Sequence, residues 1–286
     1  MAALREIPAP GITSRGIPAG RGRVARRRLP RPMSQTAFVT GASAGIGEAT
    51  ARAFAQRGHR VILAARSADR LGALAAELGD AALALPLDVA DADAHARAVA
   101  ELPPGWAEID VAVLNAGLAK NLVPVWENTA AEVDQMVDVN VKGVLNGIRA
   151  VVPGMLARGR GHVVTLGSTA GHFVYPGGTV YCATKHAVLA LTLGLKQDLL
   201  GTPVRVTAVS PGLVETEFSR VRFSGDAERA DAVYADTNAL TADDVAQAVL
   251  YAAEAPPRVN VQEVLLTPRV QSAGRGIVRG PAARGL

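Results

Sequence analysis

Between residues 35 and 266, short apolar runs alternate with helical patterns, and this alternation limits the fold more than any other feature. Candidate strands cover 35–40, 60–64, 82–87, 109–115, 161–166, 204–209 and 263–266. Candidate helices cover 48–57, 69–78, 91–101, 180–200 and 241–253, and Gly58, Gly79 and Gly201 close three of them. A long helix is expected within 130–157, bent or divided by Pro153. Strands separated by helices pair in parallel through right-handed crossovers. The expected fold class is α/β, a doubly wound parallel sheet that binds ligands at the carboxyl ends of its strands.

The chain has 286 residues, which fits one large domain. Its net charge of +4 is unevenly placed. Residues 1–33 hold eight Arg against one Glu, so this segment's +7 leaves −3 for 34–286. The basic balance is therefore no argument for nucleic-acid binding by the domain. Five Pro and four Gly accompany those arginines, and such a segment cannot bury a core. It is expected to be a disordered basic extension. An upstream piece before a start at Met33, a solvated tail and an organelle-targeting peptide all stay open as its origin. The domain is expected over 34–270, with a loose tail over 271–286. The single cysteine, Cys182, excludes an intramolecular disulfide and suits a reducing compartment. No run approaches the roughly eighteen apolar residues of a membrane span. The N-terminus does not read as a secretory signal, and a cytoplasmic location without membrane attachment is expected. The histidines at 59, 95, 162, 172 and 186 show no metal-ligand spacing. His172 could face a ligand or be a solvated loop residue.

Two motifs carry chemistry. The turn 40–47 reads Thr-Gly-Ala-Ser-Ala-Gly-Ile-Gly between a strand and a helix, with Gly41, Gly45 and Gly47 in it. Glycine permits close approach of backbone to a pyrophosphate, and the helix N-terminus offers free N–H groups to the anion. Far downstream, Tyr181 stands thirteen residues after Ser168, and Lys185 follows four later on the same helix face. A free tyrosine, with a pKa of about 10, is a poor acid–base at neutral pH. A neighbouring ammonium favours its phenolate, so Lys185 is expected to lower that value.

The order of these pieces, with Asn115-Ala116-Gly117, Asn140 and Pro211-Gly212 between and after them, resembles the short-chain dehydrogenase/reductase family over about residues 35–270. The resemblance implies a single Rossmann-type domain that interconverts a carbonyl and an alcohol. It implies Asn140, Ser168, Tyr181 and Lys185 as the catalytic group. Tyr181 exchanges the proton, Ser168 bonds the substrate oxygen, Lys185 holds the nicotinamide ribose, and Asn140 relays protons to the lysine through a water. Gly41, Ser43, Gly45, Ile46 and Gly47 would receive the pyrophosphate side of the cofactor. Asp88 and Val89 match the adenine side, and Asn115, Ala116 and Gly117 the adenine-ribose side. Pro211, Gly212, Val214 and Thr216 match the segment that cradles the nicotinamide amide. Ala65 occupies the place where NAD-binding members carry an acidic residue, and Arg66 follows it. With no carboxylate to repel a 2′-phosphate, and with Arg66, Ser67 and Ser43 to bond one, the expected cofactor is NADP. A homotetramer or homodimer, paired through the long helix and the Tyr181 helix, is also implied.

The segments 167–171, 175–178 and 211–223 resemble the subgroup of NADP-dependent 3-hydroxy acid dehydrogenases, which act on serine and allo-threonine. A small acid substrate needs a cation. Arg220 and Arg222 are candidates, on the same side if the chain there is extended. Tyr175 is a candidate wall of the same pocket. Reduction of a bulkier ketone or aldehyde is the alternative within the family. A catalytically idle NADP-binding regulator is the alternative from another class.

Overall fold

The computed structural model describes residues 34–272, 276–280 and 283. The expected disordered extension, 1–33, lies outside the described residues. Seven strands form one parallel sheet: β1 (Thr36–Thr40), β2 (Arg60–Ala65), β3 (Ala82–Pro86), β4 (Val111–Leu114), β5 (Gly161–Leu166), β6 (Val204–Pro211) and β7 (Glu263–Leu266). Their order across the sheet is β3-β2-β1-β4-β5-β6-β7. The reversal of direction between β1 and β4 is the switch point at which such sheets bind ligands.

The helices are α1 (Gly45–Gln56), α2 (Ala68–Leu78), α3 (Ala92–Ala100), α4 (Ala130–Val137), α5 (Gly143–Arg158), α6 (Thr179–Asp198), α7 (Phe218–Arg222), α8 (Ala227–Tyr234) and α9 (Ala242–Ala253). Alternate strand residues feed the two faces. Ala37, Val39, Val61 and Leu63 point to a core closed by Phe54 of α1, Leu71 of α2 and Val249 of α9. Phe38, Ile62, Ala112 and Leu114 point to the opposite core, closed by Met155 of α5 and Val188 of α6. Each fully buried Val, Leu, Ile, Phe or Met side chain contributes roughly 1.5–3 kcal/mol. Thr241 and Asp244 form a reciprocal cap at the start of α9, and Thr129 with Glu132 does the same for α4.

The strands and large helices fall where the sequence predicts, within a few residues. Three places differ. The helical stretch after residue 130 is interrupted by a π-helical turn at Asp138–Lys142, whereas Pro153 lies inside α5 without ending it. The side-chain amide of Asn140 in that wide turn bonds both the N–H and the carbonyl of Leu118, each at 2.8 Å. Residues 218–222, considered above as extended, are helical, and a further helix covers 227–234. The described part of the expected loose tail folds back: Gln271 pairs with Ile277, and Val278 N–H donates to Val270 at 2.8 Å. Among the described residues no helix is long and apolar enough to cross a membrane.

Candidate active site

The carboxyl ends of β1, β4, β5 and β6 open into a cleft of about 770 Å³. A smaller recess of about 240 Å³ adjoins it beyond β2 and β3. The cleft begins at the glycine turn. Gly41 has φ +68°, in the left-handed region, and a side chain there would meet Asn115 at 2.8 Å. A Cβ on Gly47 would lie 2.2 Å from the Gly41 carbonyl, so only glycine allows α1 to start that close to the strand. Asn115 braces the turn by donating its amide to the Thr40 carbonyl at 2.9 Å. Thr40 Oγ1 in turn accepts from the N–H groups of Asn115 and Ala116. The α1 N-terminus is thereby held open toward the cleft, where an anion finds unpaired N–H groups.

Gly41, Gly45, Ile46, Asn115, Ala116, Gly117, Pro211, Gly212, Val214 and Thr216 all line the large cleft. Ser43, Arg66, Ser67, Asp88 and Val89 line the small recess together with Ala65. Arg66 is exposed, and among the described residues it has no ion-pair partner. Asp88 accepts from the N–H of Ala90 at 3.0 Å, and it is Asp91 that caps α3.

Ser168, Tyr181 and Lys185 meet deeper in the large cleft. Ser168 follows β5, where its Oγ accepts from the N–H of Ala170 at 3.1 Å, and it lies beside the Tyr181 hydroxyl, while Tyr181 and Lys185 project from α6. Lys185 Nζ donates to the Leu166 carbonyl at 2.7 Å and stands 5.9 Å from the Tyr181 ring centroid. Asn140 is buried beside them and also donates to Thr184 Oγ1 at 3.0 Å. A Cβ at Gly117 would lie 3.4 Å from Asn140 Oδ1 and 3.5 Å from Lys185 Nζ, which places both groups behind the same point of backbone.

The electrostatics of Tyr181 differ from the sequence expectation. Burial pushes its hydroxyl well above the ordinary tyrosine range, and Tyr175 adds to this. Arg222 and Ser168 act in the opposite direction. Burial also pushes the Lys185 ammonium down to about 8. Lys185 is nearly enclosed and lies farther from the ring than Arg222 does.

The two arginines of α7 part company, because residues two apart on a helix face different ways. Arg222 is 9% exposed and lines the cleft. Its guanidinium carbon lies 5.2 Å from the ring centroids of both Tyr181 and Phe218, and one terminal nitrogen donates to the Tyr175 hydroxyl at 3.2 Å. Arg220 is exposed, 3.9 Å from Asp231, and lines neither pocket. His172 turns away toward Glu263, 2.7 Å from it, and Cys182 is buried. Sequence reasoning missed Arg229, Gln271, Ile277 and Arg279, which complete the wall of the cleft. Arg279 donates to the carbonyls of Val233 and Ala235 at the end of α8. Gln271, Ile277 and Arg279 stand in a segment that reads in the sequence as a tail.

Comparison with known proteins agrees with this geometry. The family model described as short chain dehydrogenase matches residues 35–227. The chain is 48% identical over 244 residues to the NADP-dependent 3-hydroxy acid dehydrogenase YdfG of Salmonella typhi, covering 85% of this chain and 98% of that protein. It is 43% identical over 240 residues to the serine 3-dehydrogenase of Agrobacterium fabrum, covering 84% and 96%. Among solved structures, the closed form of serine dehydrogenase complexed with NADP+ superposes with a TM-score of 0.83 at 44% identity, covering 86% of this chain and all of that one. A glycine cradle at the switch point, a Ser–Tyr–Lys group beside it and a family match across most of the sheet lead to one assignment: the chain belongs to the short-chain dehydrogenase/reductase family.

Proposed function

We propose that this chain is an NADP-dependent dehydrogenase that interconverts a small 3-hydroxy acid with its 3-oxo acid or semialdehyde. The observation that carries the acid specificity is Arg222. It is a buried cation in the wall of the cleft, beside Tyr181, with no carboxylate partner among the described residues. The relatives named above support the same reaction class.

The glycine turn fits a dinucleotide, because its cradle would be filled by any Cβ at Gly41 or Gly47. Arg66, Ser67 and Ser43 would take the 2′-phosphate beside the uncharged Ala65. Asp88 and Val89 would face the adenine, and Thr216 with Pro211, Gly212 and Val214 the nicotinamide amide. When bound, the cofactor supplies or accepts the hydride. The chain's own groups manage the proton. Tyr181 gives its proton to the forming alkoxide in reduction and takes it from the alcohol in oxidation. Ser168, beside that hydroxyl, aims a second dipole at the substrate oxygen. Lys185 would hold the nicotinamide ribose, and Asn140 fixes the backbone at Leu118. Arg222 binds the substrate carboxylate, with Tyr175 steadying the guanidinium.

We further read the protein as cytoplasmic and as a homotetramer or homodimer. Exposed Leu145 and Leu156 on α5 and Leu193 on α6 support the pairing, and light scattering tests it. The functional test is NADPH formation from serine, allo-threonine and 3-hydroxypropionate. NADP+ should be used in preference to NAD+, and Tyr181→Phe should abolish turnover. Activity confined to bulky neutral alcohols would overturn the reading.

A further inference from the structure

We propose that Arg222 is a shared counter-ion: it anchors the substrate carboxylate and also sets the proton affinity of Tyr181, so that acid binding and Tyr181 ionisation oppose each other. The anchoring half rests on the function proposed above; the Tyr181 half stands on geometry alone. The groups that face Tyr181 are few. Lys185 and Cys182 come from its own helix, Ser168 from the end of β5, Tyr175 from the loop before α6, and Phe218 and Arg222 from α7. None is a carboxylate. Of the two cations, Arg222 lies closer to the ring, at 5.2 Å against 5.9 Å, and Lys185 is bonded to the Leu166 carbonyl. Arg222 spends one terminal nitrogen on Tyr175, while its Nε is buried with no partner. The guanidinium thus lines the cleft with its charge unmatched by a carboxylate among the described residues. The same guanidinium, stacked over the Tyr181 ring, favours the phenolate.

One cation facing two anions couples them. Oxidation needs the Tyr181 phenolate, which takes the proton of the alcohol. A carboxylate seated on Arg222 cancels part of the field that stabilises this phenolate. Acid binding therefore raises the proton affinity of Tyr181, and by reciprocity the phenolate weakens acid binding. A neutral substrate leaves the field intact.

The test is the pH dependence of oxidation at saturating NADP+, with 3-hydroxypropionate and with its methyl ester or another accepted neutral alcohol. The profile of kcat/KM reports Tyr181 before the alcohol binds, and that of kcat reports it afterwards. For the acid, the acidic limb of kcat should lie above that of kcat/KM by about one pH unit, a tenfold change in phenolate. For the ester, the two limbs should coincide. Arg222→Met should move the ester limb upward, and Arg222→Lys should largely restore it. An ester limb that does not move in Arg222→Met, or acid and ester limbs that separate alike, would overturn the proposal. If the acid is not oxidised at all, the proposed function fails, while the ester limb still reports the Tyr181 half. Should Arg222→Met not fold, the unmutated protein decides through calorimetry. Binding of propionate, which keeps the carboxylate but lacks the reacting hydroxyl, to the enzyme–NADP+ complex should take up a fraction of a proton near the limb, and Tyr181→Phe should lose it. Binding without proton uptake contradicts the coupling.

Discussion

The backbone N–H of Asn121 donates to the carbonyl of Arg222 at 3.0 Å, and the side-chain amide of Asn121 donates to Glu132. Asn121 has φ 45°, in the left-handed region that Asn tolerates better than other residues with a side chain. One residue thus ties the loop after β4 to α4 and to the helix that carries Arg222. Replacing Asn121 by Ala should cost roughly 1–2 kcal/mol of stability. It should also raise KM for a hydroxy acid several-fold while leaving NADPH affinity alone. Thermal melts, kinetics and a fluorescence titration measure the three quantities. An unchanged KM would mean that Arg222 holds its place without this tie.

Cofactor preference should follow the end of β2. Ala65 offers no carboxylate and Arg66 is free to bond a phosphate, so NADPH should bind at least about tenfold more tightly than NADH, the cost of one charge-assisted hydrogen bond. Ala65→Asp with Arg66→Ala should reverse the order, because the new carboxylate accepts from a ribose hydroxyl and repels a 2′-phosphate. Equal affinities of the unmutated protein for both cofactors would contradict the assignment of that recess.

Much of this was legible in the sequence, for identifiable reasons. The buried strands are continuous apolar runs, and the Gly41–Gly47 turn and the Ser168, Tyr181 and Lys185 spacing each impose a local geometry. What was not legible depends on tertiary contacts. The π-helical turn at Asp138–Lys142 accompanies the pairing of Asn140 with Leu118, twenty-two residues away. The choice of Arg222 over Arg220 turns on five residues being helical instead of extended, in a segment too short for periodicity to show. The second cation beside Tyr181 could not be read either. The i, i+4 spacing places Lys185 on the right face of α6, but only the fold brings Arg222 nearer to the ring.

Two buried histidines make stability depend on pH. Burial pushes His95 down to about 4 and His162 to about 3. In the unfolded chain both titrate near 6.5. Between those values the unfolded state binds protons that the folded state refuses, so stability is full above about pH 6.5 and falls as pH drops toward the folded values. For His95 alone the loss reaches roughly 3 kcal/mol by pH 4. The ring of His95 packs on Phe38 at 5.8 Å, so His95→Leu keeps an apolar filling. That variant should lose less melting temperature between pH 7 and pH 4 than the unmutated protein. Parallel melting curves for the two would show that His95 is not held neutral.

The most direct test of the whole account compares kcat/KM for 3-hydroxypropionate and for its methyl ester, with NADP+, in the unmutated protein and in Arg222→Met. Losing a hydrogen bond to a charged group costs roughly 1.5–3 kcal/mol, or about ten- to a hundredfold. The acid should therefore be preferred over the ester by about that factor, and Arg222→Met should bring the two together by raising KM for the acid. Equal reaction of acid and ester in the unmutated protein would contradict the assignment of Arg222 as the anchor and, with it, of a hydroxy acid as the substrate.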